Sequence, residues 1–285
     1  MSVLCCGPYI GDFEQEIMCF RPMMTYVHFV LGEPVTFLSS HRNRRFMYDW
    51  IDDKNFLPTY GMLSRDESKQ HGYIHEYVSA RDYNIFVKSF KDFASIKTNA
   101  LKRDIDHHTV QYLKTTPRYS IYNKIFDPIE IPKVDMNTKF MREFKKGDYT
   151  VFVPDNSISV KESKHIYKEL KKLYNVIVIG DMKCHLPDEN ILLKRVDYFE
   201  NGYKYIFNLL NNAQLVVTPC SHWTFLCNLQ GWPVISWGES PSIYKEDGIF
   251  GFGNKNSIIP HNKGDSNKRI VDHVKYVMDE ISRRF

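Results

Sequence analysis

The feature that most narrows the fold lies in the second half of the chain. There, short β-rich apolar runs alternate with stretches of helical periodicity. Residues 149–153, Tyr-Thr-Val-Phe-Val, form one such run and close on the turn signal Pro154-Asp155-Asn156. Between 160 and 174, Ile166, Leu170 and Leu173 recur at helical spacing among lysines. Further apolar runs follow at 175–179, 214–218 and 232–237. Helical patterns separate them at 202–212, carrying Ile206, Leu209 and Leu210, and at 221–230, and an amphipathic pattern occupies 267–284. Each such strand needs a crossover to reach its neighbour, so the pattern predicts βαβ units and a parallel sheet covered on both faces.

The first half opens in the same way. Residues 3–6 read as a strand, 7–11 as a turn, and 12–30 as a helix that turns Ile17, Phe20, Met24 and Val27 inward. Pro22 inside it predicts a kink. A second strand is expected at 34–38, a helix at 45–51 and another at 81–97, while 122–134, with Pro128 and Pro132, reads as an extended linker. With 285 residues there is room for two medium domains. The expected division is 1–146 and 147–285, each a Rossmann-like domain. The fold class is α/β, two such domains facing across a cleft, with ligands at the carboxyl ends of the strands.

Charge and cysteine content then restrict function. Residues 1–146 carry 21 basic and 18 acidic side chains and residues 147–285 carry 17 and 16, so the excess of +4 is spread over both. A protein held to nucleic acid by phosphate contacts needs a basic stripe or tail, so nucleic acid is an unlikely partner. No run of eighteen apolar residues predicts a membrane span. The six cysteines, at 5, 6, 19, 184, 220 and 227, form no C-x-x-C pair, and the N-terminus lacks the pattern of a secretory signal. A reduced, cytoplasmic setting is the expectation.

Three stretches carry chemistry. Gly11-Asp12 follows the first strand; the glycine permits a tight turn, and Asp12 serves either as a helix cap or as a functional carboxylate. In Thr218-Pro219-Cys220-Ser221-His222-Trp223-Thr224 a strand ends in small and polar residues where a helix begins. Backbone N–H groups at such a start attract anions and Ser221 and Thr224 add hydroxyls; the alternative is an ordinary capped helix. Lys161 and Lys164 follow the polar loop after residue 154 and serve either a departing phosphate or solvent. Asp104-Ile105-Asp106-His107-His108 contains an Asp-x-Asp pattern, but it follows a polar, helix-compatible stretch, so no metal is assigned to it.

Taken together these stretches resemble the GT-B fold glycosyltransferases, most of all the ADP-heptose lipopolysaccharide heptosyltransferase family. The resemblance is carried by Gly11-Asp12 with the helix running to Arg21-Pro22, and by Cys220-Ser221-His222 at the position of the family's Asp-Ser/Thr-Gly turn. It is completed by Gly231-Trp232-Pro233-Val234-Ile235-Ser236-Trp237-Gly238, where the family has Gly-x-Pro and an apolar strand ending in glycine. The family's turn aspartate falls on Cys220 and its glycine on His222, and residues 40–145 have no counterpart.

The resemblance implies an inverting sugar transfer that needs no cofactor or metal, with Asp12 as general base. It implies Lys161, Lys164, Ser221, His222, Thr224 and Glu239 on a nucleotide-sugar donor. Arg42, Arg44 and Arg45 after the second strand are the candidates for a glycan or other hydroxyl acceptor. Two other readings stand beside it: a nucleotide- or sugar-binding domain without catalysis, motivated by Cys220-Ser221-His222, and a DNA-base glycosyltransferase, opposed by the even charge. Neither opening turn holds Gly-x-Gly-x-x-Gly, which argues against a dinucleotide oxidoreductase.

Overall fold

A computed structural model of the chain describes residues 3–9, 13, 16–29, 35–58, 80–98, 105–108, 129–131, 147–154, 158–180, 190–192, 202–219, 221–237, 258–261 and 267–284. The chain forms two compact units, Met1–Glu130 and Ile131–Phe285. The sequence reading put the division later, between 146 and 147.

The first unit carries a parallel sheet of four strands: β1 (Val3–Cys6), β2 (Val35–Ser40), β3 (Phe56–Pro58) and β4 (Ile105–His108), in the order β3-β2-β1-β4. After β1 the chain enters a wide π turn at Glu16–Phe20, which passes into helix α1 (Arg21–Phe29). The expected kink at Pro22 takes this form. Pro22 has no N–H to return to the π turn before it and its ring crowds the carbonyl one turn back, so the widening lies N-terminal to it and regular α-helix follows. Ile17, Phe20 and Met24 are buried as the periodicity requires, and Val27 is partly buried. A 3₁₀ helix spans Arg42–Tyr48 where an α-helix was expected slightly later, and α2 (Ala80–Thr98) packs Phe90 and Ala94 on Cys5 and Phe37.

Gly7 ends β1 at φ +109°, and a Cβ there would lie 2.4 Å from the carbonyl oxygen of Ser39. Only glycine allows this approach, which lets Tyr9 N–H donate to that same oxygen at 2.8 Å and ties the end of β1 to β2.

The second unit holds six parallel strands: β5 (Thr150–Phe152), β6 (Val176–Gly180), β7 (Asn190–Leu192), β8 (Leu215–Pro219), β9 (Val234–Trp237) and β10 (Ile258–His261). Their order is β10-β9-β8-β5-β6-β7. Counted from β5, this is the 3-2-1-4-5-6 order of doubly wound nucleotide-binding sheets, read from the other edge. Helices α3 (Val160–Lys171), α4 (Gly202–Asn212), α5 (His222–Gln230) and α6 (Asn267–Arg284) accompany it.

Ile166, Tyr167 and Leu170 of α3 and Ile270, Val274 and Met278 of α6 share one core with Phe152, Val178, Val217, Ile235 and Trp237. Helix α5 takes the other face, where Thr224 bonds Ser236, the residue between Ile235 and Trp237. Leu173, expected inward by spacing, lies past the end of α3 and is 47% exposed. The edge strands β3 and β10 each contain a proline, Pro58 and Pro260. Among the described residues no helix is long and apolar enough to cross a membrane.

Candidate active site

In the second unit β5 pairs β6 on one side and β8 on the other, and the winding of the sheet reverses between β5 and β8. At such a switch point the loops leaving the two carboxyl ends diverge and open a crevice for ligand. The described ends of both C-terminal stretches border it: Pro154 and α3 after β5, and Pro219 and α5 after β8.

The segment after β8 is well defined at its helix start. Ser221 is the N-cap of α5: its Oγ accepts from Trp223 N–H at 3.3 Å, and its carbonyl accepts from Thr224 N–H at 3.0 Å. Ser221 N–H in turn donates to Thr224 Oγ1 at 3.4 Å, which completes a capping box. Thr224 is fully buried, and its Oγ1 lies 3.3 Å from the Pro219 carbonyl oxygen and 2.9 Å from Ser236 Oγ. Of the two hydroxyls expected to meet a ligand, Thr224 thus holds α5 against β9, while Ser221 closes the helix start. His222 is half-buried beside Trp223, with ring centroids 4.9 Å apart.

After β5, α3 begins behind Ser159, whose Oγ accepts from Glu162 N–H at 3.1 Å. Lys161 and Lys164 project from its first turns into solvent, and among the described residues neither is ion-paired. At the end of β6, a Cβ on Gly180 would stand 3.2 Å from Pro154 Cγ, so the glycine makes room for the proline ring that leads out of β5.

In the first unit the arginines divide. Arg42 is exposed. Arg44 is buried, with its guanidinium Nη1 2.7 Å from Glu16 Oε2 and its charge over the Phe13 ring at 5.6 Å. Arg45 donates to the carbonyls of Tyr48 and Ile51, pairs with Asp53 at 3.0 Å and lies over Phe56. Two of the three candidate acceptor arginines therefore hold their own unit together. Glu16 also accepts from Ser40 Oγ and, at 2.6 Å, from Tyr48 O–H. Burial pushes its carboxyl above the ordinary value, against the pull of Arg44 and the two hydroxyls. Burial and the charge of Glu16 push the Tyr48 phenol far up, so it stays a donor.

Asp12, Glu239 and Cys220 lie outside the described residues. Ile105–His108 of the Asp-x-Asp stretch is strand β4, paired with β1, while residues 99–103, read as helix-compatible, lie outside the described residues; among the described residues no group of metal-ligating side chains occurs. Sequence reasoning missed Glu16, Ser40 and Tyr48, and on the other unit Ser236 and Trp237. Glu16 lay within the quoted turn-and-helix motif, and its position one residue before buried Ile17 was the available signal.

No family model matches the sequence, and no curated protein does. Among solved structures, two heptosyltransferases are similar in fold. E. coli ADP-heptose lipopolysaccharide heptosyltransferase II is similar over 98% of this chain and 99% of its own, with TM-score 0.53 and 10% identity. E. coli heptosyltransferase WaaC with ADP aligns over 99% of this chain and 100% of its own, with TM-score 0.48 and 12% identity. At 10% identity the first is a likeness of fold, and it agrees with the family resemblance read from the residues.

Proposed function

We propose that the protein is a glycosyltransferase that moves a sugar from a nucleotide-sugar donor to a hydroxyl acceptor by an inverting, metal-independent displacement. The observation that carries this reading is the strand order of the second unit, which sets the two candidate donor segments on either side of one switch point. The fold likeness to heptosyltransferase II supports it.

In this reading the acceptor oxygen attacks the anomeric carbon, the bond from that carbon to the diphosphate breaks, and the diphosphate leaves with the electron pair. Asp12 takes the acceptor's proton. An ordinary carboxylate pKa of about 3.9 lies far below that of a hydroxyl, so the proton moves late, as the new bond forms. Lys161 and Lys164 meet the charge on the leaving group, with Ser221 and His222 at the start of α5. Thr224 acts by keeping that start in place, Glu239 contacts the donor's ribose, and exposed Arg42 faces the acceptor.

A second reading, a nucleotide- or sugar-binding domain without catalysis, is favoured by the capping box that occupies the Ser221 and Thr224 hydroxyls. A thermal-shift screen of nucleoside diphosphates and nucleotide-sugars tests the donor, since a ligand of the folded state raises Tm by mass action. Asp12→Asn then separates the readings. Binding retained with transfer and donor hydrolysis lost supports catalysis; binding with no turnover in either protein supports the binding domain; no shift with any ligand removes both.

A further inference from the structure

We infer that the indole N–H of Trp237 is a hydrogen-bond donor to a phosphate oxygen of the nucleoside diphosphate bound where β5 and β8 part. The inference rests on the donor reading above and assigns it a residue. Trp237 is the last residue of β9, opposite Pro219 of β8, directly before the segment that leads to Ser221. Its side chain shares a face of the sheet with Ile235 and Val217. The ring lies nearly parallel to that of Phe152 on β5, at 13° with centroids 6.3 Å apart. Because β8 stands between β9 and β5, this contact carries the indole across β8 to the switch point itself.

The indole is 4% exposed, and its Nε1 has no hydrogen-bond partner among the described residues. The ring belongs to one apolar cluster with Phe152, Ile166, Val217 and Ile235, so among the described residues nothing compensates the N–H for its lost water, a cost that a phenylalanine at the same place does not carry. Trp232, five residues earlier, shows the settled alternative: its Nε1 donates to Asn211 Oδ1 at 3.0 Å. A buried, unbonded donor at the carboxyl end of a doubly wound sheet, against Phe152 at the end of β5 and on the face that α3 covers, matches what an anionic diphosphate oxygen lacks when it leaves water.

Trp237→Phe keeps the ring and removes the donor. In the ligand-free protein Tm should stay the same or rise. For whichever of ADP, UDP, GDP or CDP stabilises the wild type, affinity should fall by about ten- to a hundredfold, the range for one bond to a charged acceptor. A second measurement needs no variant: in ¹H–¹⁵N spectra of the wild type, the Trp237 indole resonance should move downfield on saturation with that nucleotide, while the already bonded Trp232 resonance stays in place. Equal affinity in the variant, or an unmoved Trp237 resonance at saturation, overturns the inference and leaves the donor reading intact. If no nucleotide shifts the wild type by either measurement, both fall.

Discussion

The Glu16 cluster offers the sharpest test of how the first unit is held together. Glu16→Ala removes one carboxylate and strands three donors at once: Arg44 Nη1, Ser40 Oγ and Tyr48 O–H. Arg44 and Glu16 are 1% and 0% exposed, so water does not take over. Breaking a buried pair from one side costs about 3–5 kcal/mol, because the surviving charge stays desolvated. For a domain of this size that is on the order of 10–20 °C in Tm. The paired substitution Glu16→Leu with Arg44→Met removes both charges, and here burial already outweighs pairing at the carboxyl. The double variant still strands the Ser40 and Tyr48 hydroxyls, at about 1–3 kcal/mol, but it leaves no buried charge, so it should be clearly more stable than Glu16→Ala. Urea unfolding followed by fluorescence reads this as the Trp50 transition, since Trp50 is the single tryptophan of residues 1–130, its ring 6.2 Å from that of Tyr48, while Trp223, Trp232 and Trp237 report residues 131–285. A loss under about 1 kcal/mol for Glu16→Ala, or a double variant as weak as the single, would refute the reasoning.

Gly7→Ala drives a Cβ to 2.4 Å from the Ser39 carbonyl oxygen at φ +109°, and should cost at least about 2 kcal/mol in the same urea assay. His28 Nδ1 accepts from Val35 N–H at 3.1 Å, and burial holds its pKa below 6.5. The unfolded chain therefore takes up the proton first, and stability should fall as pH drops through about 6.5. A urea midpoint that is lower at pH 5.5 than at pH 7.5, with the difference reduced in His28→Gln, is the expected result. Thr224→Val strips Ser221 N–H and Ser236 Oγ of a partner and should cost about 1–3 kcal/mol by calorimetry. Lys161→Ala with Lys164→Ala, both exposed, should leave stability within about 0.5 kcal/mol while raising KM for the donor.

The central strands were legible because each is apolar on both faces and bounded by turns: β5, β6, β8 and β9 all lie within two residues of where the pattern put them. Helix α4 spans Gly202–Asn212 and α6 spans Asn267–Arg284, as the 3.6-residue periodicity requires. The strands β3, β4, β7 and β10 escaped notice. They are three or four residues long and carry Pro58, Asp106, Asn190 and Pro260, so only pairing with a neighbour makes them strands. At the site, Ser221 as N-cap was readable from local spacing, whereas the partners of Glu16 stand 24, 28 and 32 residues away and leave no local trace. Trp237 was read as the end of an apolar strand; its contact with Phe152, 85 positions away, and an indole N–H without a partner among the described residues leave no local trace.

The prolines in β3 and β10 bear on what the folded molecule does not do. A row of open N–H and C=O groups along an outer strand is a template onto which a second copy can zip. Proline has no N–H to offer such a row, and Pro58 and Pro260 stand in strands of three and four residues. Parallel sheets assemble slowly and leave their rims bare in the meantime. On that argument Pro58→Val or Pro260→Val should raise light scattering during refolding more than it changes the stability of the finished protein.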